Sequence, residues 1–384
     1  MYPVREAGAD RPGQRGIMST RTILFVLNLI AFAAALTSCG GPKPADQAET
    51  KPVAPAKPVG APVEAKPPLG LPPLVIPADN ALTAETIALG RRLYYDPILS
   101  VDKTVSCATC HNPRFGFSDG APTSTGVGGK KGNRNAPTVW NAAYYTVQFW
   151  DGRAPSLEAQ ASGPMENPIE MAHTLSGVET ALNAAPGYKE LFEKAFGPGP
   201  VTIDKVTKAL AAFERTVISA NSPFDRFMYG GNKKALSAPA QRGLAIFKDP
   251  KKGNCAVCHT IEDKYALFTD NKFHNLGVGL NSKGELTDLG RYNESKQEAD
   301  KGAFKTPTLR NIAQSAPYMH DGSLKTLKDV VDFYVGGGTS NPFRDKEIKS
   351  LEHLTKQDRG DLVAFLESLT GETPPNLGPP EEAR

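Results

Sequence analysis

This sequence predicts an all-α protein of two tandem, similarly built domains with long loops, and three observations predict it. No stretch sustains the apolar–polar alternation of a half-buried strand. From about Leu82 onward, apolar side chains recur at helical spacing behind residues suited to cap a helix, Thr83 and Ser237 among them. The third observation is that the pattern is written twice. Gly90-Arg-Arg-Leu-Tyr-Tyr-Asp-Pro97 and Gly243-Leu-Ala-Ile-Phe-Lys-Asp-Pro250 share one order of glycine, apolar, aromatic and Asp-Pro, and each proline stops a helix.

With 384 residues and a net charge of +3, the chain has room for two ordinary domains and lacks the charge of a nucleic-acid binder. The N-terminus reads as targeting rather than fold. Arg21 precedes an apolar run from Ile23 to Leu36, followed by Thr37-Ser38-Cys39. The run is too short for a comfortable transmembrane helix. A cysteine at this point resembles a lipobox, so residues 1–38 are expected to be a signal peptide and Cys39 the lipid anchor of an exported lipoprotein. Residues 39–79 are rich in Pro, Ala and Lys, bury little apolar surface, and are expected to be a disordered tether. Residues 80–234 and 235–372 follow as the two domains, and 373–384 as a tail. Each domain closes with an amphipathic helix, Ile203 to Ile218 and Asp358 to Leu369.

Four of the five cysteines fall in Cys107-Ala-Thr-Cys110-His111 and Cys255-Ala-Val-Cys258-His259. Two cysteines separated by two residues and followed by histidine read as c-type haem attachment. Each thiol forms a thioether with a vinyl group on one porphyrin edge, and the adjacent imidazole ligates the iron from below. A zinc knuckle and a dithiol redox pair share the CxxC spacing. Two copies, each completed by histidine and neither in a βαβ pattern, favour two covalent haems.

The repeat continues downstream. Ala136-Pro-Thr-Val-Trp-Asn141 pairs with Thr306-Pro-Thr-Leu-Arg-Asn311, and Trp150-Asp-Gly152 with His320-Asp-Gly322. The step from Trp150 to Pro164 equals that from His320 to Tyr334, in the region that supplies a sixth iron ligand in c-type domains. Proline has no side-chain donor atom, so the first iron is expected to have an open face. Tyr334 offers a phenolate, the ligand type of catalase. Met319, with its thioether, competes for the same iron, and a buried helix-end aromatic is the other reading of Tyr334. His320 is placed beside the second haem. His274 lines that haem, contacts a propionate or is a structural histidine, and His173 and His353 read as surface residues.

These motifs, with Gln148-Phe-Trp-Asp-Gly-Arg153 and Ala316-Pro-Tyr-Met-His-Asp-Gly322, resemble the bacterial dihaem cytochrome c peroxidase and MauG family over residues 80–372. The resemblance implies a peroxidatic N-terminal haem fed with electrons by a C-terminal one, and export from the cytoplasm. It makes His111 and His259 the proximal ligands and Trp150 a conduit between the haems. Gln160, Pro164 and Glu170 fall on the distal side of the first haem. Asn135 and the main-chain oxygens of Ser315 and Pro317 match a calcium site, and a carbonyl ligand tolerates serine where threonine is common. Two positions depart from many members. Val127 stands where a loop histidine caps the first iron, and Tyr334 stands where classical members have methionine and MauG-type members have tyrosine.

The resulting expectation is a peroxidase that reduces hydrogen peroxide with electrons from a small periplasmic cytochrome c or cupredoxin. Glu170 serves as general acid/base and Gln160 as hydrogen-bond donor. A MauG-like enzyme that oxidises a protein side chain is the alternative favoured by Val127 and Tyr334. A dihaem electron carrier without catalysis is a third, which Pro164 and Val127 disfavour. A homodimer is compatible with the resemblance.

Overall fold

The computed structural model describes residues 58–381. The expectations of a signal peptide over 1–38, of lipidation at Cys39 and of a tether over its first part lie outside the described residues. No helix among the described residues is long and apolar enough to cross a membrane.

The first domain is built on α1 (Ala84–Tyr95), α2 (Cys107–Cys110), α3 (Leu157–Glu166), α4 (Leu175–Ala184), α5 (Tyr188–Phe196) and α6 (Ile203–Glu214). The second uses α7 (Pro223–Met228), α8 (Ala238–Lys248), α9 (Tyr292–Ser295), α10 (Leu327–Val335) and α11 (Lys356–Glu367). Strands β1 (Phe273–His274) and β2 (Phe304–Lys305) add one antiparallel pair, with Phe273 opposite Lys305. The all-α reading therefore holds, with long loops between helices.

The repeated glycine in the first motif marks a close helix crossing in each domain. Thr83 and Ser237 cap α1 and α8 through their side-chain oxygens. α1 crosses α6, where a Cβ on Gly90 would lie 1.8 Å from the Ala209 carbonyl oxygen. α8 crosses α11, where a Cβ on Gly243 would lie 1.9 Å from the Asp361 carbonyl oxygen. Backbone rather than a flexible side chain blocks the space, so relief requires the helices to part. Gly243→Ala is expected to cost about 3 kcal/mol, at the upper end of overpacking effects, read as a lower denaturant midpoint. An unchanged midpoint would contradict the crossing.

The repeat extends to the backbone. Asn141 and Asn311 both adopt left-handed φ values, 59° and 57°, and Phe149 and Met319 do so at 67° and 73°. Phe117 and Phe268, after the two attachment motifs, match at 57° and 54°.

Two segments differ from the expectations, and one contact crosses the division placed at 234/235. Phe224 of α7, ahead of that division, packs into the second core, edge-on to Phe268 at 5.0 Å and Phe365 at 5.9 Å. The tether expected over 39–79 is held to the body along its described part. Val63 N–H donates to the Leu82 carbonyl, the Gly70 carbonyl accepts from Ala266 and Arg310, and Leu71 is buried. Backbone groups supply most of that attachment, with Leu71 as a buried apolar side chain. The tail expected over 373–384 returns to the first domain: Leu377 joins its core, and Arg91 Nε donates to the Gly378 carbonyl at 2.6 Å.

The two haem centres and the ground between them

Each attachment motif presents its histidine in the form an iron requires. His111 follows the helical turn of α2, and its Nδ1 lies 3.2 Å from the Phe117 carbonyl. His259 Nδ1 lies 2.8 Å from the Phe268 carbonyl. A carbonyl only accepts, so both Nδ1 atoms carry the proton and both Nε2 atoms keep a free lone pair. Burial lowers the pKa of both imidazoles and keeps them neutral. The left-handed backbone of Phe117 and Phe268 aims these carbonyls, a link that spacing alone does not reveal. Burial also pushes the Cys110 thiol up to about 11 and the Cys255 thiol up to about 12.

The donors fit a porphyrin better than a single ion. Among the described residues, neither Cys-Cys-His trio gathers its sulfurs and ring nitrogen within 4.8 Å of one another, as a zinc knuckle would. At the second centre a cavity of ≈ 400 Å³ is lined by Cys255, Cys258 and His259, with apolar walls from Phe247, Leu327 and Val331. Tyr334 reaches this cavity from α10, and Met319 lines it as well. Burial first, and the charge of the two nearby thiols next, raises the Tyr334 phenol above its ordinary pKa.

In the first domain, Gln160 and Pro164 sit one turn apart on the same face of α3. The chain then doubles back: the Pro164 carbonyl accepts from Met171 N–H, and Glu170 N–H donates to the Asn167 carbonyl. This turn returns Glu170 to the attachment motif, where its charge acts on the Cys110 thiol. Asn167 Nδ2 donates to Glu170 Oε1 at 2.6 Å. Burial raises the Glu170 pKa, opposed by the Asn167 hydrogen bond and by the Arg153 charge. Val127 is buried in the same core, and its N–H donates to the Glu170 carbonyl at 2.8 Å. The loop that carries Val127 and the turn that carries Glu170 are therefore one packed unit, and neither Val127 nor Pro164 brings a ligand atom.

A hydrogen-bonded path from Trp150 joins the two halves of the chain. Trp150 Nε1 donates to the Asn135 carbonyl at 2.9 Å, and Asn135 N–H donates to the His320 carbonyl at 2.7 Å. Trp150, Asn135, Ser315, Pro317 and His320 all line the second cavity. His320 is buried against Phe304, with ring centroids 3.6 Å apart and nearly parallel. Burial lowers its pKa to about 4 against the pull of Asp321 and Asp288, so it is neutral at pH 7. His274 bridges the carboxylates of Asp270 and Asp345 at the cavity wall. The Cys258 sulfur and these carboxylates push it up to about 10. Once that sulfur is a thioether, the two carboxylates remain to hold the charged ring.

Sequence reasoning missed the ion pairs that lock the domains. Arg134 donates to Asp151 at 2.6 Å and, through two nitrogens, to Asp288 at 2.6 and 2.9 Å. Asp151 was visible only as part of a Trp-Asp-Gly motif, and Asp288 carried no signal.

The family model for di-haem cytochrome c peroxidase matches residues 84–233, and the cytochrome c model matches residues 240–370. The methylamine utilization protein MauG of Methylorubrum extorquens is 44% identical over 297 residues, 77% of this chain and 81% of the relative. The cytochrome-c peroxidase IdrP1 of Denitromonas iodatirespirans is 39% identical over 333 residues, 79% of this chain and 86% of the relative. A crystal structure of a MauG-like protein associated with microbial copper homeostasis superimposes with a TM-score of 0.72 at 32% identity, covering 82% of this chain and 98% of that one. Two attachment motifs on two repeated helix crossings, matched along both domains by such relatives, place this chain in the dihaem cytochrome c peroxidase and MauG family of haem c oxidoreductases.

Proposed function

We propose that this protein reduces hydrogen peroxide at its first haem, using electrons that enter at the second. The observation that carries the reading is the packed turn of Pro164, Val127 and Glu170: two residues without a ligand atom, linked through the backbone to a carboxyl group whose pKa is raised. Bound haem supplies the redox-active iron on which peroxide is split. Glu170, as carboxylate, takes the proton from the near peroxide oxygen and returns it to the leaving oxygen, which departs as water. Asn167 holds the carboxylate in place through Oε1. Gln160, on the same helix face as Pro164, offers an amide N–H to the developing charge. Trp150 is the conduit between the centres, its indole fixed by the Asn135 carbonyl. Asn135, Ser315 and Pro317 form a calcium site in this reading; all three line the second cavity. Electron delivery falls to a small periplasmic cytochrome c or cupredoxin, with the protein exported and held at a membrane by lipid on Cys39.

The spectrum of the as-isolated ferric protein tests the open first centre. A high-spin component that binds cyanide without prior reduction is expected, whereas two fully low-spin haems would overturn the reading. Tyr334 at the second cavity favours a second reading, a MauG-like oxidation of a protein side chain. Rapid turnover with reduced cytochrome c and peroxide supports the peroxidase, and slow turnover with a long-lived oxidised spectrum supports the MauG-like enzyme.

A further inference from the structure

Lys305 lies on β2 with its side chain at the wall of the second cavity, and it is buried. Its backbone N–H donates to the carbonyl of Trp150, which lines the same cavity, at 2.8 Å. Its Nζ stands 3.2 Å from the centre of the Tyr145 ring. A buried ammonium without a counter-ion is strongly unfavourable, and the neighbouring carboxylates are committed elsewhere. Asp151 serves Arg134 and Arg153, Asp288 serves Arg134, and Asp270 and Asp345 hold His274. Burial acts alone on Lys305 and lowers its pKa to about 7, so no nearby protein charge supports the ammonium.

The cavity is built for a group whose anions are two propionates, carried away from the thioether edge that Cys255 and Cys258 secure. A lysine with a flexible stem and a point charge suits a single carboxylate. We propose that Lys305 is the counter-ion of a haem propionate in the second centre and keeps that propionate ionised on the side facing Trp150. Lys305 is thus a positioning residue for that haem edge. The Tyr145 ring gives the ammonium an apolar seat, and the Trp150 carbonyl sets the register of the strand that carries it. The pair makes the second centre indifferent to the propionate's proton, so an electron passes without one. This goes beyond the choice of substrate and holds for either reading of the activity.

Potentiometric titration of the second haem in the holoprotein, followed optically between about pH 5.5 and 8.5, tests the proposal. His274, held by Asp270 and Asp345, lines the same cavity with His320, His353, Tyr334, Glu347, Lys251, Lys252 and Lys349; all are shared by every variant, so the comparison between variants isolates Lys305. In Lys305→Met the propionate loses its partner, and the potential is expected to gain a pH slope, relative to the parent, approaching one proton per electron. Lys305→Arg is expected to keep the parent slope, and the spectrum of the first haem is expected to stay unchanged in both. A Met variant with the parent's slope overturns the proposal, as does an Arg variant with the slope expected of Met. Should Lys305→Met carry fewer than two haems by pyridine haemochrome, the parent decides. Its infrared difference spectrum with ¹³C-labelled propionates at pH 6 is expected to show one second-haem propionate ionised, and two protonated ones would overturn the pairing.

Discussion

Glu170→Gln is expected to slow peroxide turnover by about 10²–10⁴-fold, the range lost when a positioned acid/base is removed. Glutamine keeps the shape and the Asn167 contact but cannot shuttle a proton. The two attachment motifs are untouched, so both haems and the ferric spectrum should remain. The pH profile carries the sharper signature. Burial raises the Glu170 pKa, so the carboxylate needed to accept a proton is lost as pH falls through a value above the ordinary carboxylate range. The acidic limb of turnover should follow that value and vanish in the glutamine variant. Asn167→Ala removes a hydrogen bond that favours the charged form, so the same limb should move to higher pH. Turnover unchanged in Glu170→Gln would assign the proton transfer to another group.

Arg310→Met is expected to destabilise the fold by about 3–5 kcal/mol, the cost of leaving a buried charge without its partner. Arg310 is almost wholly buried and donates through two nitrogens to Asp225, both at 2.9 Å. Its remaining donors reach the Ala266 carbonyl at 2.7 Å and the Gly70 carbonyl at 2.6 Å. One guanidinium therefore ties α7, the loop before β1 and the segment that precedes the first domain. The variant should unfold at lower denaturant, and proteolysis within residues 58–79 should quicken because Gly70 loses its main anchor. Asp225→Asn combined with Arg310→Met should recover part of the loss, since neither charge is then stranded. A double variant as unstable as Arg310→Met would indicate that the backbone contacts, not the ion pair, carry the effect.

Features that depend on short spacing were legible in the sequence. The CxxCH pairs, the Gly-to-Asp-Pro repeat, the matched Trp150 and His320 and the ligand-free Pro164 all follow from residues within a few turns of one another. Gly90 and Gly243 drew notice as repeated residues, but the carbonyls they admit lie on α6 and α11, far along the chain. Phe224 fell within the bounds of the first domain because no local signal links it to Phe268 or Phe365. The segment before α1 read as a free tether for a similar reason: its composition is poor in apolar side chains, and its attachment uses backbone carbonyls that sequence does not distinguish. Lys305 read as an ordinary charge before a Thr-Pro-Thr motif, since nothing nearby in the chain reports its burial.

By itself, the sequence determined the two thioether-and-imidazole sites, the duplicated helical framework and the absence of a ligand atom at Pro164 and Val127. Each rests on covalent chemistry or on a residue's own donor atoms, which do not wait for tertiary contacts. Only the tertiary structure decided the protonation of the imidazoles, the raised pKa of Glu170 and the clasp of His274 by Asp270 and Asp345. It alone buried Lys305 over the Tyr145 ring, with its backbone N–H on the Trp150 carbonyl. The physical reason is common to all of them. A charge is cheap in water and costly once buried, so what a titratable side chain does depends on the groups that distant parts of the chain bring around it.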